Sequence, residues 1–212
     1  MPGIRHAKRC VLLLAASAIA GPAVAATELP FLDPFDTGVF GYLSTVTGVS
    51  VEWSPVDVDG SASSGSALLV NTRTVPFTGG PVNWMLDCFV VEAGTPYTAA
   101  AWVLIPDGQT TSGQATAMVS WYANSSCTQL SFLSTVRTFE IRNPGSWQLS
   151  EEPLTAPPGA LGARIGMGVF KTEATGALAV HFDELTLVPE PTGTGSGLAA
   201  LLVLGALRRQ AR

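Results

Sequence analysis

The chain has 212 residues, 47% of them hydrophobic and 13% charged, with a formal net charge of −5. All 16 acidic residues lie between Glu28 and Glu190, where only five basic residues stand against them, so the middle of the chain carries −11. A nucleic-acid partner needs a basic footprint and is excluded; a dense acidic polysaccharide or an anionic lipid would need a divalent cation to intervene.

The first 25 residues place Arg5, His6, Lys8 and Arg9 before an apolar run from Val11 to Ala20, then Gly21, Pro22 and Ala23-Val24-Ala25. That order of charge, apolar stretch and small-residue ending is a secretory signal peptide cleaved after Ala25. Gly21 and Pro22 argue against a buried helix there, and Cys10 would leave with the peptide. The exported chain then keeps Cys88 and Cys127, which in an oxidising compartment read as one disulfide.

Residues 26–188 show no helical period of useful length. Short apolar and β-branched runs recur instead between Gly, Pro, Asn, Asp and Ser punctuation. The expected strands are 49–53, 67–71, 83–91, 97–105, 115–122, 132–141, 147–150, 163–170 and 177–188, a spacing that suits a β-sandwich or jelly roll. Alternation assigns faces. In 97–105 it puts Tyr97, Ala99, Ala101, Val103 and Ile105 on one side and Trp102 on the other. In 115–122 it puts Ala115, Ala117, Val119 and Trp121 opposite Tyr122. In 83–91 it points Cys88 inward and turns Asp87 and Phe89 outward. In the last strand Val180 and Phe182 are out of phase with Leu185 and Leu187, and a bulge near Asp183 would bring all four to one face.

The C-terminal segment, 189–212, runs Pro189-Glu190-Pro191, a Thr/Gly/Ser spacer, the apolar run Leu198 to Leu207, then Arg208, Arg209 and Arg212. A helix from Thr192 to Leu207 would be about 24 Å long, short of a hydrocarbon core of about 30 Å, so it is a marginal transmembrane anchor. In motif, apolar helix and basic end the segment resembles the PEP-CTERM sorting signal. That resemblance implies recognition at the inner membrane of a Gram-negative bacterium, processing by an exosortase, and delivery to the cell surface or extracellular matrix.

Four further stretches sit in the middle of the chain: the run from Val51 to Ala67, Asp87 to Tyr97, Trp121-Tyr122 with Cys127, and Val180-His181-Phe182-Asp183-Glu184-Leu185. Together they resemble a carbohydrate-binding jelly roll of the galactose-binding-like superfold, with CenC-type modules as the nearest members. The resemblance implies two antiparallel sheets packed face to face and a possible structural calcium. Asp36, in Phe-Asp-Thr-Gly, and Asp183, in Phe-Asp-Glu-Leu, match the family's acidic calcium positions. Carboxylates are the hard oxygen donors that calcium takes, although both could instead cap turns or face solvent. Asp57 and Asp59, on a Gly/Ser-rich loop, are weaker candidates for the same role.

His181 is the single histidine left after export, and no Gly-x-Ser-x-Gly elbow, phosphate loop or dinucleotide fingerprint accompanies it. The expectation is a non-catalytic exported module that binds polysaccharide. Trp102 and Tyr122 would stack on sugar rings, Asp87 would serve as a polar partner, and Phe89 would assist. Two alternatives stay open. One is a structural or adhesive matrix protein whose sheet face is packed shut; the other is a glycoside hydrolase using paired carboxylates.

Overall fold

A computed structural model describes residues 29–39, 42–44, 47–61, 63–74, 82–85, 87–142 and 144–190. The expected signal peptide and residues 191–212 of the expected sorting tail, with Pro191, Arg208 and Arg209, lie outside the described residues.

Twelve strands follow in order: β1 (Phe31–Asp33), β2 (Tyr42–Ser44), β3 (Val49–Ser54), β4 (Ser66–Asn71), β5 (Val82–Met85), β6 (Phe89–Val90), β7 (Pro96–Leu104), β8 (Gly113–Tyr122), β9 (Phe132–Arg137), β10 (Gln148–Thr155), β11 (Gly162–Lys171) and β12 (Leu178–Pro189). One 3-10 turn, Gln129–Ser131, precedes β9. The first sheet runs β10-β7-β12-β4-β3, with β1 also on β12; the second runs β2-β5-β11-β8-β9, with β6 also on β11. Every pairing is antiparallel. The chain is thus an all-β jelly-roll sandwich of two antiparallel sheets, as the strand spacing predicts.

Period-two alternation builds the core. Ala99, Ala101 and Val103 of β7, Ala115, Ala117, Val119 and Trp121 of β8, and Ala163, Ile165, Met167 and Val169 of β11 are all completely buried between the sheets. β12 is the central strand of the first sheet, and its register shifts between Asp183 and Thr186. That bulge brings Val180, Phe182, Leu185 and Leu187 together into the core, which is the phase repair the sequence calls for.

The structure departs from the expected strands and faces at five points. β1 and β2, three residues each, are too short to carry an alternation signal. The single strand expected over 83–91 is two, because Cys88 is tied to Cys127 by a disulfide and the chain leaves the ladder around it. Cys88 therefore joins Cys127 and Tyr122 in a separate cluster. The next residue, Phe89, must then point inward: it is fully buried, its ring centre 4.9 Å from that of Phe31 in a tilted pair, and it is not an outward ligand contact. The strand expected over 132–141 ends at Arg137, with Ile141 returning only as an isolated bridge to Ala115. β10, finally, continues past Ser150 through Pro153 to Thr155. Proline is tolerated there because β10 is an edge strand, where one side of the backbone needs no partner, and the exposed Glu151 beside it discourages further pairing.

β12 ends at Pro189. Glu190 is still tied to the body: its N–H donates to the Pro96 carbonyl at 2.9 Å and its Oε1 accepts from Thr98 Oγ1 at 2.8 Å. The first two residues of the Pro-Glu-Pro motif thus belong to the folded domain.

Candidate functional site

The bulge in β12 creates a cavity on the outer face of the first sheet. β4 follows β12 as far as Phe182, and β1 takes up the pairing at Leu185. The β3–β4 loop enters the gap between them, where the Val58 N–H donates to Asp183 Oδ2 at 3.0 Å. The Glu184 N–H donates to Oδ1 of the same carboxylate at 2.7 Å. The loop is held by Asp57, whose Oδ1 accepts from the Ser61 N–H at 2.8 Å and whose Oδ2 accepts from Ser64 Oγ at 2.6 Å. The third wall is β1 and its exit. There Asp33 accepts from the Phe35 N–H at 2.9 Å, and the Phe35 carbonyl accepts from Trp53 Nε1 at 2.8 Å.

The space enclosed is about 560 Å³, lined among others by Asp36, Asp57, Asp59, Ser61, Asp183 and Glu184. Left-handed backbone borders it on both sides, at Phe35 (φ 52°) and Glu184 (φ 47°). For non-glycine residues that conformation is disfavoured, and it tends to occur where function fixes geometry. Asp36 and Asp183, from distant parts of the chain, each follow or precede one of these residues and line the same cavity.

Burial, and after it the neighbouring charges, raises two of these carboxyls. Burial pushes the Asp183 carboxyl up to about 7, with the charges of Asp57 and Glu184 acting the same way and the two backbone N–H donors opposing them. Asp36 is raised as well, first by burial and then by Asp57. All-oxygen donors of this kind match the chemistry of a hard divalent cation. Among the described residues, however, no three His, Cys, Asp or Glu side chains form a ready-made cage.

Trp102 stands beside this cavity. It is the Cα partner of Asp183 on one side and of Leu149 on the other, it points outward, and it is only half-buried. Tyr122 does not join it. β7 belongs to the first sheet and β8 to the second, so their outward faces look in opposite directions across the sandwich. Tyr122 is itself nearly buried, 6% exposed, under the ring of Phe132 at 5.9 Å. Asp87 lies in the link between β5 and β6 of the second sheet. The residues expected to form one sugar platform are therefore divided between two faces and the core.

His181 is buried, with Nδ1 2.9 Å from Ser66 Oγ and its ring 6.3 Å from Trp147. Burial lowers its pKa, which favours the neutral ring. Ser66 is completely inaccessible, so this Ser–His contact cannot present a nucleophile to a substrate. Glu184 and the seryl hydroxyls of Ser61, Ser63 and Ser64 are cavity residues that sequence reasoning did not single out. The one signal for them was the Gly/Ser-rich loop carrying Asp57 and Asp59.

No protein-family model matches the sequence, and no curated protein sequence matches it. The fold is similar to that of solved carbohydrate-binding modules. One is the CBM22-1 xylan-binding domain from Paenibacillus barcinonensis Xyn10C, at 15% identity and TM-score 0.53, covering 78% of this chain and 97% of that one. Another is the C-terminal family 22 carbohydrate binding module of Clostridium thermocellum Xyn10B, at 14% identity and TM-score 0.52, covering 75% and 92%. A third is the CBM22-1-GH10 portion of the Clostridium thermocellum xylanase, at 13% identity and TM-score 0.54, covering 77% of this chain and 29% of that one. The chain therefore spans less than a third of that two-module enzyme but nearly the whole of the isolated modules. At such identities the likeness establishes a shared jelly-roll architecture.

Proposed function

We propose that the protein is an exported, non-catalytic module that binds polysaccharide on the outer face of its first sheet. The observation that carries this reading is the row Leu149, Trp102, Asp183, which sets a half-buried indole directly beside the carboxylate- and hydroxyl-lined cavity. A pyranose ring has apolar faces that stack on an indole, and hydroxyls at its rim that need hydrogen-bond partners. Trp102 supplies the first, and Ser61 and Ser63 supply part of the second. Family-22 modules of the same architecture, described by name as binding xylan, support the reading by analogy of fold.

Calcium belongs to the same proposal. Asp36 and Asp183 are the ligands assigned to it, and the mutual repulsion of Asp36, Asp57, Asp183 and Glu184 is what a cation would relieve. Delivery follows from the two ends: the signal peptide directs export, and the Pro189-Glu190-Pro191 tail with Arg208 and Arg209 engages the inner membrane transiently. An exosortase-like enzyme then releases the domain to the surface or matrix.

The test is a glycan array followed by calorimetric titration of the full chain, with and without calcium. Binding of at least one neutral oligosaccharide is expected, weakened about 10-fold or more by Trp102→Ala. No binding across neutral bacterial and plant glycans would sink the proposal in favour of a structural or adhesive role. An unchanged melting temperature after chelation would remove calcium from it.

A further inference from the structure

The second sheet has an outer face of its own, and Arg164 stands on it. The residue is the Cα partner of Ser120 on β8, which is in turn the partner of Thr135 on β9; their hydroxyls meet at 2.5 Å. The guanidinium carbon lies 5.9 Å from the centre of the Tyr122 ring. Tyr122 meets Phe132 edge-on at 5.9 Å, and Phe132 is 45% exposed. Guanidinium and exposed Phe132 ring are thus at most about 12 Å apart along this line, within the span of two sugar rings.

Arg164, like Arg73 and Lys171, has no ion pair among the described residues. Acids outnumber bases 16 to five in the domain, yet the ion pairs among the described residues join Arg137 and Arg142 to Glu140, and none involves Arg164. Its neighbours are instead an aromatic ring and hydroxyls, and its Nε is buried without a hydrogen-bond partner. With Nε shielded from solvent, the two terminal nitrogens are the part of the guanidinium that can meet a ligand, and that planar end is shaped to bind a carboxylate through two parallel N–H bonds. Tyr122 holds the group in position without neutralising it.

We propose that Arg164, with Phe132 as the stacking surface, is a second saccharide site that receives a carboxylate: an isolated uronic acid carried on an otherwise neutral polysaccharide. The domain charge of −11 repels a densely charged polyanion, so a sparse carboxylate is the anion this surface can accept. The inference rests on the reading that the partner is a polysaccharide, but it uses no residue of the Trp102 face.

The test is calorimetric titration of the full chain with a neutral oligosaccharide bearing one glucuronate, compared with its uncharged methyl ester. The free acid should bind about 10-fold or more tightly than the ester. Arg164→Gln should abolish that preference, Arg164→Lys should retain part of it, and Phe132→Ala should weaken acid and ester alike. Trp102→Ala should leave the preference intact, which separates this site from the first. Equal binding of acid and ester, or a preference that survives Arg164→Gln in a variant of unchanged melting temperature, overturns the inference while leaving neutral-glycan binding to stand on its own. Polyglutamate competing as well as the uronate would overturn its saccharide part.

Discussion

The Cys88–Cys127 disulfide closes a loop of 39 residues, and its removal by the double substitution Cys88→Ala, Cys127→Ala offers a quantitative test of how the domain is held together. In the chain-entropy treatment a loop of that length contributes about 4 kcal/mol at 25 °C, by restricting the unfolded ensemble. The native side adds to this, because the two sulfurs pack with Tyr122 in a cluster separate from the main core and fix the phase at which Phe89 enters it. For a domain of this size each kcal/mol moves the melting temperature by about 2–4 °C, so a fall of about 8–16 °C is expected. A thermal melt measures that fall and urea unfolding the free energy behind it, both followed by tryptophan fluorescence, Trp121 being fully buried. Reduced wild type should match the double variant to within about 1 kcal/mol, since both lose the same cross-link. A loss of less than about 1 kcal/mol in both would refute the reasoning, because it would mean that Phe89 and the β5–β6 segment dock without the tether.

Other perturbations test the neighbouring inferences. Gly162→Ala would place a methyl group 2.3 Å from the Asn124 carbonyl oxygen and 2.9 and 3.0 Å from the two disulfide sulfurs; a destabilisation of about 1–3 kcal/mol by urea melt is expected, and a neutral result would show that the disulfide does not rest on that glycine. Phe182→Ala, emptying a completely buried core position, should cost about 3–5 kcal/mol in the same assay, and a loss under about 1 kcal/mol would contradict its place in the core. For Asp183, whose carboxyl is raised from 3.8 to about 7, the folded metal-free protein retains a proton between those pH values that the unfolded chain has released. Stability in chelator should therefore decline as pH rises from about 4 to about 7, by up to on the order of 4 kcal/mol, and then level off. Asp183→Asn should flatten that decline; a variant with the wild-type slope would move its origin elsewhere.

How far the sequence reaches is clearest in β7, β8 and β12. Side chains alternate with period two whatever the strand pairs with, so the inward sets led by Tyr97 and Ala115, and the outward direction of Trp102 and Tyr122, are legible from local pattern alone. The same logic exposed the phase conflict in β12 and placed the bulge at Asp183. Asp36, Asp57, Asp59 and Asp183 were recognisable as a candidate acidic set from loop composition and resemblance. That they share one cavity depends on a contact such as Val58 with Asp183, 125 residues apart, and pattern along the chain carries no information about that distance.

Local pattern failed where a long-range tie overrode it. The covalent link from Cys88 to Cys127 reversed the phase of Phe89 and took it out of the candidate site. Trp102 and Tyr122 also parted there, because "outward" is defined only relative to a strand's own sheet. Composition and period-two alternation were enough for an all-β sandwich, the core faces of β7, β8 and β12, the Cys88–Cys127 pairing and the acidic middle, since each of these is written locally along the chain. Tertiary structure alone decided which sheet each strand joined, and through that partition set Trp102 beside the acidic cavity and Tyr122 with Arg164 on the opposite face.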